Sequence, residues 1–392
     1  MSEVLPAAAW TRRPELAQLV AALGAENIRW VGGAVRDTLL GAPVKDIDAA
    51  TPLLPEEVIA RLKAAQIRSV PTGIEHGTIT AILPGGPVEV TTLRRDVSTD
   101  GRRATVAFAS EWRDDAARRD FTINALYADP QTLEIADYFG GLADLAARKV
   151  RFIGDARQRI REDHLRILRY YRFQARFGAD LDDEAEAACA ELAATLKGLS
   201  RERVAMELLA LLGLPDPCAT VERMYRRGVL GVILPEAVNH QQECLRALVA
   251  AEQAAGVAPD GVRRLAALLP TLPEVASDVA ARLRLSRAQR ARLVSAAERK
   301  PGETIAPRIL AWREGRESAV DRILLAGGNL APLDGWEVPE LPLKGGEIVA
   351  RGVGAGPEVA RLLRAVESRW VEEGFPGRER VLALLDEQLA QE

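Results

Sequence analysis

The sequence VGGAVRDTLLGAPVKDIDAAT, residues 31–51, decides the fold expected for the amino-terminal part of the chain. An apolar, β-prone run leads into it, and the glycine pair Gly32-Gly33 predicts a turn whose backbone amides can approach an anion. The spacing of Val35 and Leu39 predicts a helix that begins directly after this turn. Because the first turn of a helix favours negative charge, the expected ligand of this turn is a phosphate group.

The same stretch carries two carboxylates two positions apart, Asp46 and Asp48. In the strand predicted to begin here, residues two apart share one face, so both carboxylates are expected to point the same way. Like charges on one face repel each other unless a cation lies between them, and Mg²⁺ is commonly held by carboxylate oxygens. The pattern predicts metal-assisted phosphoryl chemistry, while a plain turn and a solvated strand edge are the alternative readings of its parts.

The pattern G-G-x-V-R-D followed by D-x-D resembles the head-domain signature of class II nucleotidyltransferases. This is the family of bacterial CCA-adding tRNA nucleotidyltransferases and bacterial poly(A) polymerases. Three further stretches resemble motifs of the same family: RRDFTINAL at 118–126, the paired-glycine stretch at 137–145 and E-D-x-x-R at 162–166.

Hydrophobic periodicity and breaker residues extend the prediction along the chain. A helical lead-in, a helix at 55–65, and paired strands at 77–83 and 88–92 indicate a small, partly antiparallel sheet. From residue 181 onward the pattern is almost entirely helical. With the resemblance, we expect an α/β nucleotidyltransferase head, a small mixed sheet with helices, followed by an all-α neck, body and tail. The expected bounds are 1–145 for the head, 146–215 for the neck, and 216–392 for the body and tail, for which the resemblance implies tRNA binding.

Glu89 lies between two valines of the second predicted strand. The family has an acidic residue in this place, so Glu89 is expected as a third carboxylate beside Asp46 and Asp48; an exposed strand glutamate is the alternative. The stretch 93–111 that follows is long and polar, which predicts a mobile loop. It resembles the flexible loop between the motifs of the CCA-adding enzymes.

The stretch 118–126 offers groups that suit a nucleotide. Two arginines beside a metal site can neutralise a triphosphate, and an asparagine can hydrogen-bond a ribose hydroxyl. An ordinary amphipathic helix would explain its apolar residues but not its cluster of polar ones. Together with the resemblance, this predicts nucleotide binding by Gly32, Gly33, Arg36, Arg119, Asp120, Asn124, Asp163, Arg166 and Arg169.

Asp163 and Arg166 are expected to choose the base. In the helix predicted over 161–172 they stand at i and i+3 and would share a face. The carboxylate can accept from the amino group of cytosine or adenine while the guanidinium donates to the adjacent ring nitrogen. Uracil and guanine present the reverse polarity and would leave buried partners unpaired. The resemblance implies this role for E-D-x-x-R, and a surface ion pair is the alternative.

Composition limits the possible partners. The formal net charge is −4, which argues against indiscriminate binding to nucleic acid, but basic residues crowd the stretch 148–176. The three cysteines are widely spaced and indicate neither a zinc site nor a disulfide framework. No apolar run approaches the ~18 residues of a membrane span, and no signal pattern opens the sequence. We expect a cytoplasmic protein without membrane contact, either monomer or homodimer.

The resemblance implies template-independent addition of CCA to the 3′ end of tRNA from CTP and ATP, with pyrophosphate released. Asp46 and Asp48 would ligate two Mg²⁺ ions, the expected cofactor. A poly(A) polymerase shares the motifs, but such enzymes tend to end in a strongly basic extension and this sequence closes in LLDEQLAQE. A partial CC- or A-adding enzyme and a catalytically silent RNA-binding protein are further alternatives. Asp46 and Asp48 argue against a silent RNA-binding protein, because their carboxylates would repel the phosphates of bound RNA.

Overall fold

The chain forms two compact units, Met1–Pro235 and Glu236–Glu392. The predicted head and neck both lie in the first unit, together with residues 216–235 of the predicted body. The division into head, neck and body with tail therefore stays a prediction. The computed structural model describes residues 3–74, 77–100, 103–237, 239–300, 302 and 305–390.

Nine strands are found in the described part of the first unit: β1 (Arg29–Val31), β2 (Ile47–Thr51), β3 (Arg68–Gly73), β4 (Thr78–Leu83), β5 (Gly86–Thr92), β6 (Arg94–Asp100), β7 (Arg103–Phe108), β8 (Leu126–Ala128) and β9 (Ile135–Asp137). Seven of them form a sheet in the order β3-β4-β5-β2-β1-β8-β9. In this sheet β2 and β5 run parallel, and the other neighbours are antiparallel. The mixed sheet, with helices after it, confirms the predicted fold class.

The predicted mobile loop at 93–111 is wrong as a description of the backbone. Strands β6 and β7 pair antiparallel, from Arg94 opposite Phe108 to Asp100 opposite Arg103, and form a separate two-stranded sheet. The polarity of the stretch suggested a loop, but it also contains the β-branched residues Val97, Thr99, Thr105 and Val106. Such residues favour extended backbone, and a hairpin needs no apolar stripe of its own to pair its backbone groups.

The helices of the first unit are α1 (Pro14–Leu23), α2 (Gly33–Leu39), α3 (Pro55–Ala64), α4 (Trp112–Ala117), α5 (Gly141–Ala146), α6 (Ala156–Glu162), α7 (Arg166–Phe177), α8 (Asp183–Glu191), α9 (Arg201–Leu212), α10 (Cys218–Arg226) and α11 (Val229–Ile233). Helix α1 is the predicted lead-in: it buries Leu16, Leu19 and Leu23, and it ends at Gly24, whose φ of +89° favours glycine.

An aromatic cluster fixes α7 against the segment that follows α4. The ring of Phe121 lies 4.8 Å from that of Phe152 and 5.4 Å from that of Phe173, measured between centroids. Tyr170 stacks on Phe152 at 5.8 Å. These rings are buried, so α7 and the segment around Phe121 share one core. This contact places the polar side chains of α7 beside those of residues 118–120.

The second unit is helical, with α12 (Asn239–Ala254), α13 (Gly261–Ala267), α14 (Pro273–Arg282), α15 (Arg287–Ala297), α16 (Pro307–Glu314), α17 (Arg316–Leu325), α18 (Gly345–Val349), α19 (Pro357–Glu372) and α20 (Arg378–Leu389). Its core contains buried ion pairs: Glu252 accepts from Arg263 (2.7 Å) and Arg264 (2.8 Å), and Arg263 also donates to Asp321 (2.7 Å). These buried arginines are thus paired, as burial of charge requires. Among the described residues, every helix is too short or too polar to span a membrane.

Candidate active site

A cleft of about 400 Å³ opens in the first unit. Strands β1, β2, β4 and β5 and the first residue of β6 supply part of its wall, and the rest comes from the segment after α4, from the α6–α7 junction and from α7. The lining combines four carboxylates with five arginines, a mixture that suits a metal-bound nucleotide better than either charge alone. The lining residues are Val31, Asp48, Ala49, Thr78, Glu89, Thr91, Arg94, Arg118, Arg119, Asp120, Asp163, Arg166 and Arg169.

Two of the carboxylates come from neighbouring parallel strands. The register pairs Asp48 of β2 with Glu89 of β5, so both side chains leave the same face of the sheet. Asp46 lies just before β2 and is exposed. Burial, then the negative charges of Glu89 and Asp46, raise the pKa of Asp48 to about 6, although Arg119 acts in the opposite direction. The acids therefore concentrate negative charge at a point where a cation would relieve it.

The donor set fits a divalent cation that is shared with a substrate. Among the residues that the structure describes, no group of three or more Asp, Glu, His and Cys side chains forms a ready-made metal site. Mg²⁺ typically uses only one or two protein carboxylates and takes its remaining ligands from water and phosphate oxygens. Asp48, with Asp46 or Glu89 as its neighbour, provides such an open pair. Whether Glu89 binds the metal stays a prediction.

The predicted glycine turn adjoins one of the cleft arginines. Gly32 precedes α2 with φ of +69°, a conformation that favours glycine. A Cβ added there would lie 3.6 Å from Nη1 of Arg119. Neither Gly32 nor Gly33 is part of the cleft lining. The turn thus lies beside Arg119, and its contact with phosphate stays a prediction.

Arg36 and Asn124, which were expected to contact the nucleotide, are buried behind the cleft. Nη1 of Arg36 donates to Oδ1 of Asn124 (2.5 Å), and Nδ2 of Asn124 donates to Oδ1 of Asp120 (3.0 Å). Oδ2 of Asp120 accepts from Nε of Arg169 (2.7 Å). A chain of hydrogen bonds therefore runs from α2 to α7 and ends at Asp120 and Arg169, the two members that line the cleft.

The carboxyl group of Asp120 is negatively charged where it accepts hydrogen bonds from Asn124 and Arg169. Burial alone would raise the pKa of its carboxyl group, but Arg169 and Asn124 outweigh burial and lower the pKa to about 2. The Asp120 carboxylate therefore stays ionised at neutral pH. It orients Arg169 toward the cleft because the Nε edge of that guanidinium is held.

We expect Arg36→Ala to destabilise the protein by about 3 kcal/mol, since it breaks a buried ion pair with Asp37 (2.7 Å) and leaves Asn124 without its partner. The variant also loses the contact of the guanidinium with the rings of Phe173 and Phe177, 5.2 and 4.7 Å from their centroids. Urea unfolding followed by circular dichroism measures the loss.

Arg12→Ala, at an exposed arginine of the same unit, is the matched control for this change. Equal stability of the two variants would contradict the structural role assigned to Arg36. A loss of stability confined to Arg36→Ala would support it.

The predicted continuous helix over 161–172 is wrong. Helix α6 ends at Glu162, Asp163 is extended with φ of −149°, and α7 begins at Arg166. The break has a local cause: Oδ1 of Asp163 accepts from the backbone N–H of Leu165 (3.1 Å), a turn contact that competes with helix. Asp163 and Arg166 do not share a helix face, yet both line the cleft because the chain bends between them.

The guanidinium of Arg166 is oriented by its neighbours. Nη1 donates to Oε2 of Glu162 (2.6 Å) and to the carbonyl oxygen of Arg159 (2.8 Å), and Nη2 donates to the carbonyl oxygen of Arg118 (3.0 Å). Arginine has five N–H donors. The three contacts within the described chain leave two of them available to a ligand in the cleft.

Sequence reasoning did not single out the cleft threonines, Arg94 or the buried Asp115. Thr91 follows Glu89 by two positions in β5, so strand alternation was a signal that predicted its face. Its Oγ1 lies 3.1 Å from Oγ1 of Thr78 on β4. Asp115 precedes Arg118 by three positions and Arg119 by four, a spacing typical of helical ion pairs.

Two family models match the chain. Residues 28–151 match the family described as "Poly A polymerase head domain", and residues 178–240 match "Probable RNA and SrmB- binding site of polymerase A". The first match covers the cleft strands and the segment with Arg118, Arg119 and Asp120. The polymerase names agree with the family that the sequence motifs resemble.

Relatives and a solved structure are similar to this chain over different shares of its length. It is 35% identical over 368 residues to the Mus musculus protein "CCA tRNA nucleotidyltransferase 1, mitochondrial", spanning 89% of this chain and 84% of that protein. It is 42% identical over 185 residues to a CCA-adding enzyme of Leuconostoc citreum, 47% and 45% of the two chains. A crystal structure of the Bacillus stearothermophilus CCA-adding enzyme in complex with CTP superposes with a TM-score of 0.74 at 26% identity, covering 96% of this chain and 98% of that one. This chain therefore belongs to the family of CCA tRNA nucleotidyltransferases.

Proposed function

We propose that this chain adds CCA to the 3′ end of tRNA from CTP and ATP, releases pyrophosphate, and uses no nucleic-acid template. One observation carries the proposal: a single cleft brings Asp48 and Glu89 together with Arg119 and with the pair Asp163 and Arg166. The first two suit a metal, the arginine suits a triphosphate, and the last pair suits a base edge. Family membership supports the same reaction.

Asp48, with Asp46 and Glu89 beside it, would hold the metal. Nucleotidyltransferases of this family generally use a divalent metal, and we propose Mg²⁺ because the ligands are hard carboxylate oxygens. When bound, Mg²⁺ supplies charge neutralisation at the phosphates and makes the ribose 3′-OH a better nucleophile. The side chains of Asp48 and Glu89 face the same side of the sheet, and this shared orientation would fix the position of the metal relative to the reacting groups.

Arg118 and Arg119 would bind the triphosphate. Each side chain is 20% exposed, and each is anchored to Asp115 at one edge of its guanidinium. An anchored arginine loses little rotamer entropy when an anion arrives, so more of the contact energy contributes to binding. Arg169, held by Asp120, adds a third cationic group to the same cleft.

Asp163 and Arg166 would select the base by polarity. A carboxylate oxygen of Asp163 accepts from the amino group of cytosine or adenine, and an available N–H of Arg166 donates to the neighbouring ring nitrogen. Uracil and guanine carry a carbonyl and a ring N–H there, so the Asp163 acceptor would face an acceptor and the Arg166 donor would face a donor, which leaves both unpaired. Selection in this way needs no template strand.

Glu89→Gln tests the third carboxylate. We expect the rate of nucleotide addition to fall about 10- to 100-fold and the Mg²⁺ concentration for half-maximal rate to rise, because a neutral amide binds a divalent cation more weakly than a carboxylate does. The measurement is initial rate against Mg²⁺ concentration. Glu56→Gln, an exposed glutamate on α3, is the control. A Mg²⁺ dependence equal to that of the control would remove Glu89 from the metal site.

A poly(A) polymerase is the second candidate, because the family model that matches the head carries that description. One assay separates the candidates: purified protein and Mg²⁺ with tRNA transcripts that end before CCA, after CC, or with oligo(A), each with one labelled nucleotide. Incorporation of C before CCA and of A after CC supports CCA addition. Long A tails support the polymerase, C alone or A alone supports a partial enzyme, and no incorporation supports a silent RNA-binding protein.

The proposed partners are the 3′ end of tRNA, CTP and ATP. The predicted cytoplasmic location and the monomeric or homodimeric state stay predictions. Size-exclusion chromatography with light scattering measures the second of these directly.

A further inference from the structure

Asp115, at the buried face of α4, lies outside the cleft lining but contacts several groups that form it. It is 1% exposed. Its Oδ1 accepts from Nε of Arg118 (2.7 Å) and from the backbone N–H of Arg94 (3.3 Å). Its Oδ2 accepts from the hydroxyl of Tyr127 (2.6 Å) and from Nη2 of Arg119 (3.0 Å). One buried carboxylate thus contacts the guanidinium groups of Arg118 and Arg119 and the backbone of Arg94, all three of which line the cleft.

The charge of Asp115 is maintained by these contacts. Burial alone would raise the pKa of its carboxyl group, but Arg119, Arg118 and the Tyr127 hydroxyl together lower the pKa to about 2. A buried ion is costly unless its partners are well placed, and here both oxygens have two. The fold therefore retains a full negative charge directly behind the arginines.

The contacts use only part of each guanidinium. Arg118 gives its Nε–H to Asp115, and Arg119 gives Nε and Nη2 to Asp115 and Tyr127. Each arginine has five N–H donors. The donors that these contacts do not use can bind a ligand in the cleft. Without the carboxylate, two long side chains would have to be ordered by the ligand itself, at a cost in side-chain conformational entropy.

We propose that Asp115 is the positioning residue for the nucleotide's triphosphate: it holds Arg118 and Arg119 in the orientation that binds the phosphates and fixes the first residue of the β6–β7 hairpin beside them. This inference rests on the proposed nucleotidyl transfer. Asp115 lies outside the cleft lining, and it acts through the arginines. The backbone N–H of Arg94, the first residue of β6, donates to the same carboxylate, so Asp115 also fixes the start of the hairpin.

Such a role has a distinct kinetic result. Contacts to phosphates that exist before the reaction contribute to substrate binding, so their loss raises KM for the nucleotide more than it lowers kcat. A role in stability alone would reduce the fraction of active protein, which lowers the apparent kcat and leaves KM unchanged. The KM for tRNA should not change under either role, because the affected groups bind the nucleotide.

Asp115→Asn is the direct test, because it keeps the shape and removes the charge. We expect KM for CTP and for ATP to rise at least about 10-fold, with kcat changed less than about 3-fold and KM for tRNA unchanged. The dissociation constant of CTP, measured calorimetrically without tRNA, should rise in parallel. Asp114→Asn, at the exposed neighbouring position, is the matched control.

The outcomes are separable. Wild-type protein that fails to add CCA contradicts the proposed function, whereas a working wild type with an unchanged KM for CTP in folded Asp115→Asn overturns the inference. If Asp115→Asn does not melt cooperatively, Tyr127→Phe decides, since it removes the hydroxyl that donates to Asp115 and accepts from Nε of Arg119 but keeps both ion pairs. A rise of about 3-fold in KM for CTP at constant kcat supports the inference, and no rise overturns it.

Discussion

We expect Asp48→Asn to lower the rate of nucleotide addition by at least about 1,000-fold, with folding retained. Asp48 is the half-buried carboxylate of the metal pair, and a neutral amide cannot replace a charged oxygen ligand in stabilising the charge that develops during phosphoryl transfer. A loss of about 4 kcal/mol of transition-state stabilisation corresponds to this factor. Single-turnover addition of C to a tRNA that lacks CCA measures it.

The same substitution should not reduce stability. Burial and the nearby acids raise the pKa of Asp48 from its usual 3.8 to about 6, so its protonated form is the one that the fold favours. Stability gained from protonation is lost as the pH rises through about 6, and at pH 7.5 the ionised carboxylate weakens the metal-free fold. The Asn variant should therefore melt at the same or a higher temperature in EDTA. A variant that keeps its activity, or one that loses activity by unfolding, would contradict this role.

We expect Arg166→Ala to relax nucleotide choice. Discrimination against UTP and GTP, measured as the ratio of kcat/KM values, should fall about 10- to 100-fold, since the variant lacks the N–H donors that oppose a ring N–H. Activity with CTP should also fall, because the variant has no guanidinium to donate to the ring nitrogen of cytosine. Competition between CTP and UTP on one tRNA substrate measures the ratio directly.

Arg166 also supports the α6–α7 junction through Glu162 and two carbonyl oxygens, so stability must be followed in the same experiment. Arg166→Lys keeps the charge but not the planar set of donors, and it should lose discrimination as well. Arg161→Ala, at an exposed position of α6, is the control. Discrimination that stays intact in folded Arg166→Ala and Arg166→Lys would remove this account of base selection.

The elements that local patterns encode were predicted well. Apolar spacing gave α1, the glycine pair gave the turn before α2, and alternation with a Pro-Gly turn gave β4 and β5. The hairpin β6–β7 and the break at Asp163 were missed. The hairpin is held by backbone pairing of a polar stretch, and the break by one side chain that bonds its neighbour's backbone. Neither feature changes the hydrophobic pattern on which the prediction depended.

The site was predicted only in part, because some of its residues are placed by local patterns and others by contacts between distant parts of the sequence. Asp48, Glu89 and Arg119 line the cleft, since strand register and motif spacing place them there. Arg36 is different, because its position is decided by contacts with Asn124 and with the rings of α7 that are distant in sequence. Charge and spacing predict that an arginine is near a site. They do not tell whether it faces the ligand or supports the residues that do.

We expect that one cleft both activates the tRNA end and selects cytosine and adenine. Sequencing of the 3′ ends made by the purified protein tests it most directly, on a tRNA transcript that lacks CCA, with Mg²⁺ and all four nucleoside triphosphates present together. We expect products that end in CCA and grow no further. Ends that contain U or G, tails of A, or unextended tRNA would contradict it.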